Sequence, residues 1–268
     1  VMSQTEDDVP TLIGQWRPSR LLGVGAVASV YLCTNSEGQE AAVKWLQYTH
    51  GPLVQRFHRE IESLRRLSHP GVTAFIDAGE AEGRPFLAME HVAGTDLRLF
   101  TVKLHKRPSA ERYARCRDIA RTLADALHHI HYSGLVHRDV KPSNVLVSDA
   151  GRVVLGDFGV VKDPKSLEKT AVGVVVGTLA YAAPEQIQGD VVDARTDLFG
   201  LGATLYFLLT QQRPFGGLDR DLSALPTPPS RIDPGIPADL EGTVMRLLAA
   251  DPSHRPRDAA SVRALMST

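Results

Sequence analysis

The sequence predicts an α+β chain of two lobes, a small β-rich lobe followed by a larger helical one. Three observations predict it. Short strand-like runs separated by Gly- and polar-rich turns occupy the chain as far as Val92. Apolar residues at helical spacing dominate after Gly94. The 268 residues exceed the roughly 150 of an average single domain.

The first strands are expected over residues 20–24, 28–33 and 40–46, with turns such as Asn35-Ser36-Glu37-Gly38 between them. A helix is expected over 52–67, where Phe57, Ile61, Leu64 and Leu67 recur at helical spacing, and His69-Pro70-Gly71 stops it. Strand-like runs follow at 72–76 and 86–92. A hinge near 91–94 divides a small lobe, 13–91, from a large one, 92–268, with 1–12 as an extension. In the large lobe the 111–133 stretch reads as a long helix. Cys116, Ile119, Leu123, Ala126, Leu127 and Ile130 form its apolar face, and Gly134 ends it. Helices are also expected at 195–209, 238–249 and 257–266, their starts marked by Asp193, Pro237 and Arg255-Pro256. The 213–237 segment holds six prolines and reads as loop.

Composition narrows the function classes. Lys and Arg number 30 against 31 Asp and Glu, so no whole-molecule field draws the chain to nucleic acid or to an anionic membrane. Two cysteines, Cys33 and Cys116, cannot build a disulfide framework or a four-cysteine zinc site, which points to a reducing compartment. No run approaches the ~20 apolar residues of a membrane span, and the polar, acidic N-terminus resembles neither a signal peptide nor a transit sequence.

Several motifs carry chemistry. Gly23-Val24-Gly25 lies between two strand-like runs, where glycine backbone could approach phosphates; alone it is a weak signal and reads more readily as a plain hairpin turn. A dinucleotide fold would need a helix after it, and no G-x-x-x-x-G-K-[ST] of a P-loop occurs. Lys44 ends the apolar strand Ala41-Ala42-Val43-Lys44, and Glu60 sits at the inward edge of the following helix. Each has an ordinary surface reading. The deciding motif is His137-Arg138-Asp139-Val140-Lys141-Pro142-Ser143-Asn144. It gathers a carboxylate, a cation and an amide in one loop, the parts phosphoryl transfer needs for the attacking hydroxyl, the moving phosphoryl group and a Mg²⁺ ligand. Asp157-Phe158-Gly159 follows a strand at 153–155 and supplies a second oxygen ligand.

The order G-x-G, A-x-K, helix Glu, HRDxKxxN, DFG and Ala183-Pro184-Glu185 resembles eukaryotic-type (Hanks-type) protein kinases over nearly the whole chain. The short lobes and the Lys141-Pro142-Ser143-Asn144 form are similar to bacterial serine/threonine kinases. The resemblance implies the bilobal protein kinase fold and transfer of the γ-phosphoryl group of ATP to protein Ser/Thr hydroxyls. It implies that Gly23, Val24 and Gly25 cover ATP, that Lys44 holds the α- and β-phosphates and pairs with Glu60, and that Val30, Ala42 and Leu146 enclose adenine. Met89 falls at the gatekeeper position, Glu90 to Val92 offer backbone hydrogen bonds, and Asp96 reaches toward ribose. Asp139 takes the substrate proton, Lys141 offsets γ-phosphoryl charge, and Asn144 and Asp157 bind Mg²⁺, with Mn²⁺ as the alternative.

The same resemblance makes 160–177 the activation loop, with Thr170 and then Ser166 as phosphosites that Arg138 could pair with. Thr178 would shape a site for a short hydroxyl side chain. Glu185 would pair with Arg255, Asp197 would anchor the catalytic loop, and His137 would be a core group. His128, His129 and His131 read as incidental. Expected partners are Ser/Thr-bearing proteins and a second copy for autophosphorylation, with no nucleic acid and no membrane segment. The expected location is cytoplasmic, alone or as the cytoplasmic part of a longer protein. Two departures stand out: Ala28 replaces the third loop glycine, and the 215–234 stretch is short and proline-rich. A small-molecule phosphotransferase and a nucleotide-holding pseudokinase are the competing readings.

Overall fold

The computed structural model describes residues 10–157, 180–215 and 225–266. The chain divides into two compact units. One holds the chain up to Ser68 together with Thr73–His91; the other holds His69–Val72 and the chain from Val92.

The smaller unit is an antiparallel sheet with one helix. Its strands are β1 (Arg17–Val24), β2 (Ala28–Thr34), β3 (Glu40–Leu46), β4 (Phe75–Ala81) and β5 (Arg84–Met89), in spatial order β1-β2-β3-β5-β4. Strand alternation sorts the side chains. Tyr31, Cys33, Ala41, Val43, Trp45, Phe86 and Ala88 bury one face against Ile13 and Trp16. The other face carries Val30, Ala42, Lys44 and Met89, because Val30 lies opposite Lys44 and Ala42 opposite Met89. Helix α1 (Pro52–Arg65) starts with proline in its first turn and buries Phe57, Ile61 and Leu64. The run expected at 72–76 is only partly a strand: β4 begins at Phe75, while Val72 makes a single parallel bridge to Leu155 in the larger unit to which it belongs. The run expected at 86–92 begins earlier and ends at Met89.

The larger unit has a three-stranded sheet, β6 (Gly94–Asp96), β7 (Val145–Ser148) and β8 (Val153–Leu155), and helices α2 (Leu97–Leu104), α3 (Ser109–Tyr132), α4 (Pro184–Gln188), α5 (Ala194–Thr210), α6 (Ala238–Leu247) and α7 (Ala259–Leu265). Gly94 is required where β6 meets β7: a Cβ there would lie 2.1 Å from the Val147 carbonyl oxygen. Helix α3 packs on α5 and α7 and buries Ile119, Leu123, Leu127 and Ile130 completely. Each such side chain removed from water stabilises by roughly 1.5–3 kcal/mol before its entropy cost. Helix α5 is buried nearly all round, and Asp193 caps it by accepting from Arg195 N. Both thiols are buried, which pushes Cys33 and Cys116 up to about 12. At physiological pH they are protonated and unreactive.

Candidate active site

Within the smaller unit, Gly23 and Val24 close β1 and pair with Val30 and Ser29. Gly25 N donates to Ala28 O at 2.9 Å, making a hairpin that leads into strand and not into a helix. Val24 is exposed. Lys44 projects from β3 toward α1, where its Nζ lies 2.7 Å from Glu60 Oε1. Only 2% of the Glu60 side chain is exposed, so the carboxylate is tolerable only because a cation meets it. The Phe57 ring centroid lies 5.9 Å from Lys44 Nζ. Val30, Ala42 and buried Met89 line the same sheet face. The Glu90 amide donates to Ala74 O at 2.9 Å, so of the hinge groups named above its N–H is already engaged and its carbonyl is the group to consider.

Within the larger unit, the loop from His137 to Asn144 is held from below. Asp197, wholly buried on α5, accepts from His137 N at 2.8 Å and from Arg138 N at 2.7 Å. Gly200, one turn on, allows this approach: a Cβ there would lie 2.8 Å from Val140 O. Gln186 Nε2 donates to Arg138 O at 3.0 Å. These contacts hold Arg138 at φ 66°, a left-handed conformation that costs on the order of 1–3 kcal/mol. Asp157 has the same kind of backbone, at φ 52°. Strained non-glycine residues thus stand on both sides of the site.

His131 is the residue that sequence reasoning missed. Its Nε2 lies 2.8 Å from Asp197 Oδ2, so it helps orient the carboxylate that holds the loop and is not incidental. His129 stacks on His69, with ring centroids 5.1 Å apart.

His137 is fully buried. Its Nδ1 accepts from Asp139 N at 3.3 Å and its Nε2 lies 3.1 Å from Gly156 O, which can only accept. That geometry requires the neutral Nε2–H tautomer. Burial holds the imidazole below its ordinary value, overcoming the upward pull of Asp197 and Asp139. The folded-state value therefore lies below the unfolded one. The contribution to stability is intact above the ordinary value of 6.5 and is lost as pH falls from there through the depressed folded value. Urea unfolding from pH 7.5 to 5.0 should show a steeper loss for the parent than for His137→Gln, by up to about 1.4 kcal/mol per pH unit. Equal slopes would contradict the assignment.

The candidate groups of the loop converge on Asp139. Lys141 Nζ lies 2.9 Å from Asp139 Oδ2, and Asn144 Nδ2 donates to the same oxygen at 2.7 Å, to Asp139 O at 2.9 Å and, more weakly, to Asp157 O at 3.4 Å. The Asn144 amide is fixed by three acceptors, which turns its Oδ1 away from Asp139. Among the described residues no three His, Cys, Asp or Glu side chains gather into a metal cage. An amide oxygen and a carboxylate suit Mg²⁺, which keeps waters and substrate phosphates as its remaining ligands.

Leu146 is half-buried on β7, paired with Asp96 and Val154. The Asp96 carboxylate is already engaged: it caps α2 by accepting from Leu99 N at 3.0 Å and pairs with Arg98 at 2.7 Å. Phe158, Gly159, Ser166, Thr170 and Thr178 lie outside the described residues. Glu185 and Arg255 do form the expected buried pair, at 2.7 Å.

The protein kinase domain model matches residues 16–261. The chain belongs to the protein kinase domain family. This kinase domain is 35% identical to the serine/threonine-protein kinase PknB of Mycobacterium leprae over 273 residues, covering 95% of this chain and 43% of PknB. The chain thus spans about two-fifths of the length of that relative. Among solved structures, the kinase domain superposes on a cysteine-to-alanine point mutant of the PknI kinase domain of Mycobacterium tuberculosis with a TM-score of 0.76 and 28% identity, covering 99% of this chain and 98% of that one. It also resembles Rad53 1–466 in complex with AMP-PNP, with a TM-score of 0.76, 27% identity, and coverage of 93% and 64%. The protein kinase fold, an antiparallel sheet unit and a helical unit, is the fold expected from the sequence.

Proposed function

We propose that the chain is an ATP-dependent protein kinase that phosphorylates serine and threonine hydroxyls. The observation that carries the reading is the Asp139 carboxylate, held by both Lys141 and Asn144 on a strained, anchored loop. Such a carboxylate orients a hydroxyl and takes its proton, while Lys141 offsets charge on the transferring group. Catalysis is then positioning and charge neutralisation, with no covalent intermediate on the protein. Lys141 supports a Ser/Thr preference by the family resemblance, as do relatives named serine/threonine-protein kinases.

Gly23, Val24, Gly25, Val30, Ala42, Met89, Leu146 and the Glu90–Val92 backbone are the proposed nucleotide contacts. The AMP-PNP complex of Rad53 supports a nucleotide ligand. Asp96 joins them as a candidate ribose contact that already caps α2 and pairs with Arg98. Asn144 and Asp157 would hold Mg²⁺, or Mn²⁺, which when bound screens the triphosphate charge. The proposed partners are Ser/Thr proteins and a second copy that phosphorylates Thr170 or Ser166. No helix among the described residues is long and apolar enough to cross a membrane. The proposed location is the cytoplasm, alone or as the cytoplasmic part of a longer protein.

Incubation with radiolabelled ATP and Mg²⁺ should label the chain or a generic basic protein on Ser and Thr, and mass spectrometry with and without phosphatase should map Thr170 and Ser166. Nucleotide binding without transfer to any protein, or transfer only to sugars or antibiotics, would overturn the reading. In the same assay Lys44→Met should lower kcat/KM for ATP roughly 10- to 150-fold, the worth of a charge-assisted hydrogen bond to phosphate. Glu60→Gln should act in the same direction by releasing Lys44 from its partner. Unchanged values in both variants would remove Lys44 from the nucleotide site.

A further inference from the structure

Arg138 directly precedes Asp139 and stands in a left-handed backbone conformation, at φ 66°. Such strain persists only where the surroundings over-determine it. Arg138 is an exposed residue, so packing of its own side chain does not supply that support. Hydrogen bonds do. Asp197 Oδ1 accepts from Arg138 N at 2.7 Å, and the Arg138 carbonyl accepts from Gln186 Nε2 at 3.0 Å.

The second of these bonds bears on the reaction. The Arg138 carbonyl and the Asp139 amide belong to one planar peptide unit. Gln186 holds the oxygen of that plane, and His137 Nδ1 accepts from its N–H at 3.3 Å. A plane held at both ends fixes the direction in which the Asp139 side chain leaves the loop. The far end of that side chain is then met by Asn144 at 2.7 Å and Lys141 at 2.9 Å. The His137 bond is the longer of the two on the plane, so Gln186 is its firmer support.

The chemistry of the Gln186 side chain suits this task. A primary amide is an acceptor and a donor at once. Its Oε1 accepts from Ala183 N at 3.0 Å at the start of α4, which leaves Nε2 aimed at Arg138 O. The neighbouring Glu185 ties α4 to Arg255 and to Thr196, so the amide reaches out from an anchored helix. A carboxylate at 186 could serve Ala183 N but would set an oxygen against the Arg138 carbonyl.

We infer that Gln186 is a positioning residue for phosphoryl transfer: it holds the peptide plane between Arg138 and Asp139, and with it the Asp139 carboxylate, in the orientation that receives the substrate proton. It acts through that plane and not on the reacting atoms. The inference rests on the kinase reading for the reaction it serves. Without the bond, Arg138 relaxes toward an ordinary backbone conformation and the productive orientation becomes a smaller population. That lowers kcat and leaves KM for ATP in place.

The test separates the two halves of the amide. Gln186→Glu keeps the acceptor for Ala183 N and loses the donor to Arg138. Gln186→Lys keeps a donor within reach and loses the acceptor. Gln186→Met loses both. In the full chain, labelling kinetics should show kcat about tenfold lower for Gln186→Glu and Gln186→Met, the scale of one hydrogen bond, with KM for ATP within about twofold. Gln186→Lys should recover most of that loss, although its urea midpoint should fall with that of Gln186→Met. Amide exchange over residues 137–141, read by mass spectrometry, should quicken in the Glu and Met variants and less in the Lys variant. A purely structural cap gives the opposite order, with Gln186→Glu at the parental rate and Gln186→Lys impaired, and that order would overturn the inference. So would a parental kcat in Gln186→Met, or losses confined to KM. If Gln186→Met unfolds, the comparison of Glu with Lys decides alone. A parent that labels, with rate and exchange unmoved in the variants, sinks the positioning role alone. A parent that does not label, with exchange moving in the expected order, sinks the kinase reading alone.

Discussion

Asp139→Asn should lower the rate of phosphate transfer about 10²- to 10⁴-fold at saturating ATP, the range that a positioned general base contributes. The substitution keeps size and shape. The amide oxygen can take the Oδ2 position and still accept from Asn144 Nδ2 and Lys141 Nζ, now 2.7 Å and 2.9 Å away. What is lost is the charge and the capacity to accept a proton. Stability should fall by only about 1 kcal/mol, since one charge-assisted contact becomes an ordinary one. Nucleotide affinity should hold, because the proposed adenine and phosphate contacts lie elsewhere. The discriminating measurement pairs initial labelling rate with nucleotide affinity on one preparation. A variant that labels at the parental rate would remove Asp139 from the chemistry. A variant that has lost nucleotide affinity in proportion to rate would make it a binding residue.

Much of this site is legible in the sequence because its parts are local. Asp139, Lys141 and Asn144 fall within one short loop, so spacing alone exposes them. Strands β2 and β3 are legible for a similar reason: alternate residues are apolar and a turn separates them. What spacing cannot reveal is support from far along the chain. His131 and Asp197 are 66 residues apart and meet only because α3 packs on α5. Gln186 reaches the Arg138 carbonyl across 48 residues. Elements too short for a period were also hidden. β6 has three residues, β7 has four and α4 has five, so neither strand alternation nor helical spacing can declare itself. The start of α7 shifts for a physical reason. The expected marker was Arg255-Pro256, but Arg255 is consumed by Glu185, and Asp258 is the cap, accepting from Ser261 N at 2.8 Å.

Arg255→Met should destabilise the larger unit by about 3–5 kcal/mol, the cost of leaving a buried charge without its partner. Arg255 Nη1 lies 2.7 Å from Glu185 Oε1 and Nη2 lies 2.9 Å from Oε2, a bidentate pair with both residues buried. The same guanidinium donates to the carbonyls of Ala249 at 2.8 Å, Ala250 at 2.9 Å and Arg195 at 2.9 Å. The variant therefore strands a carboxylate and three acceptors, with Thr196 Oγ1, at 2.8 Å, the remaining side-chain donor to Glu185. Against a typical total of 5–15 kcal/mol, that is a large share. Glu185→Gln should also be costly, because the amide keeps one acceptor for Arg255 Nη1 and Thr196 but leaves the buried guanidinium without its anion and sets an N–H₂ against Nη2. pH separates the pair from packing. Burial alone would raise the Glu185 carboxyl, but the Arg255 hydrogen bonds outweigh it and hold the folded value below the ordinary 4.5. The stabilisation is therefore present above 4.5 and is lost as pH falls through the depressed folded value. Glu185→Gln should flatten that acid limb, whereas a loss caused by packing alone would leave its slope unchanged. A urea series from pH 7 to 3 that finds parallel limbs, or an Arg255→Met loss under about 1 kcal/mol, would show that the pair does not hold α4 and α5 against the segment that carries Arg255.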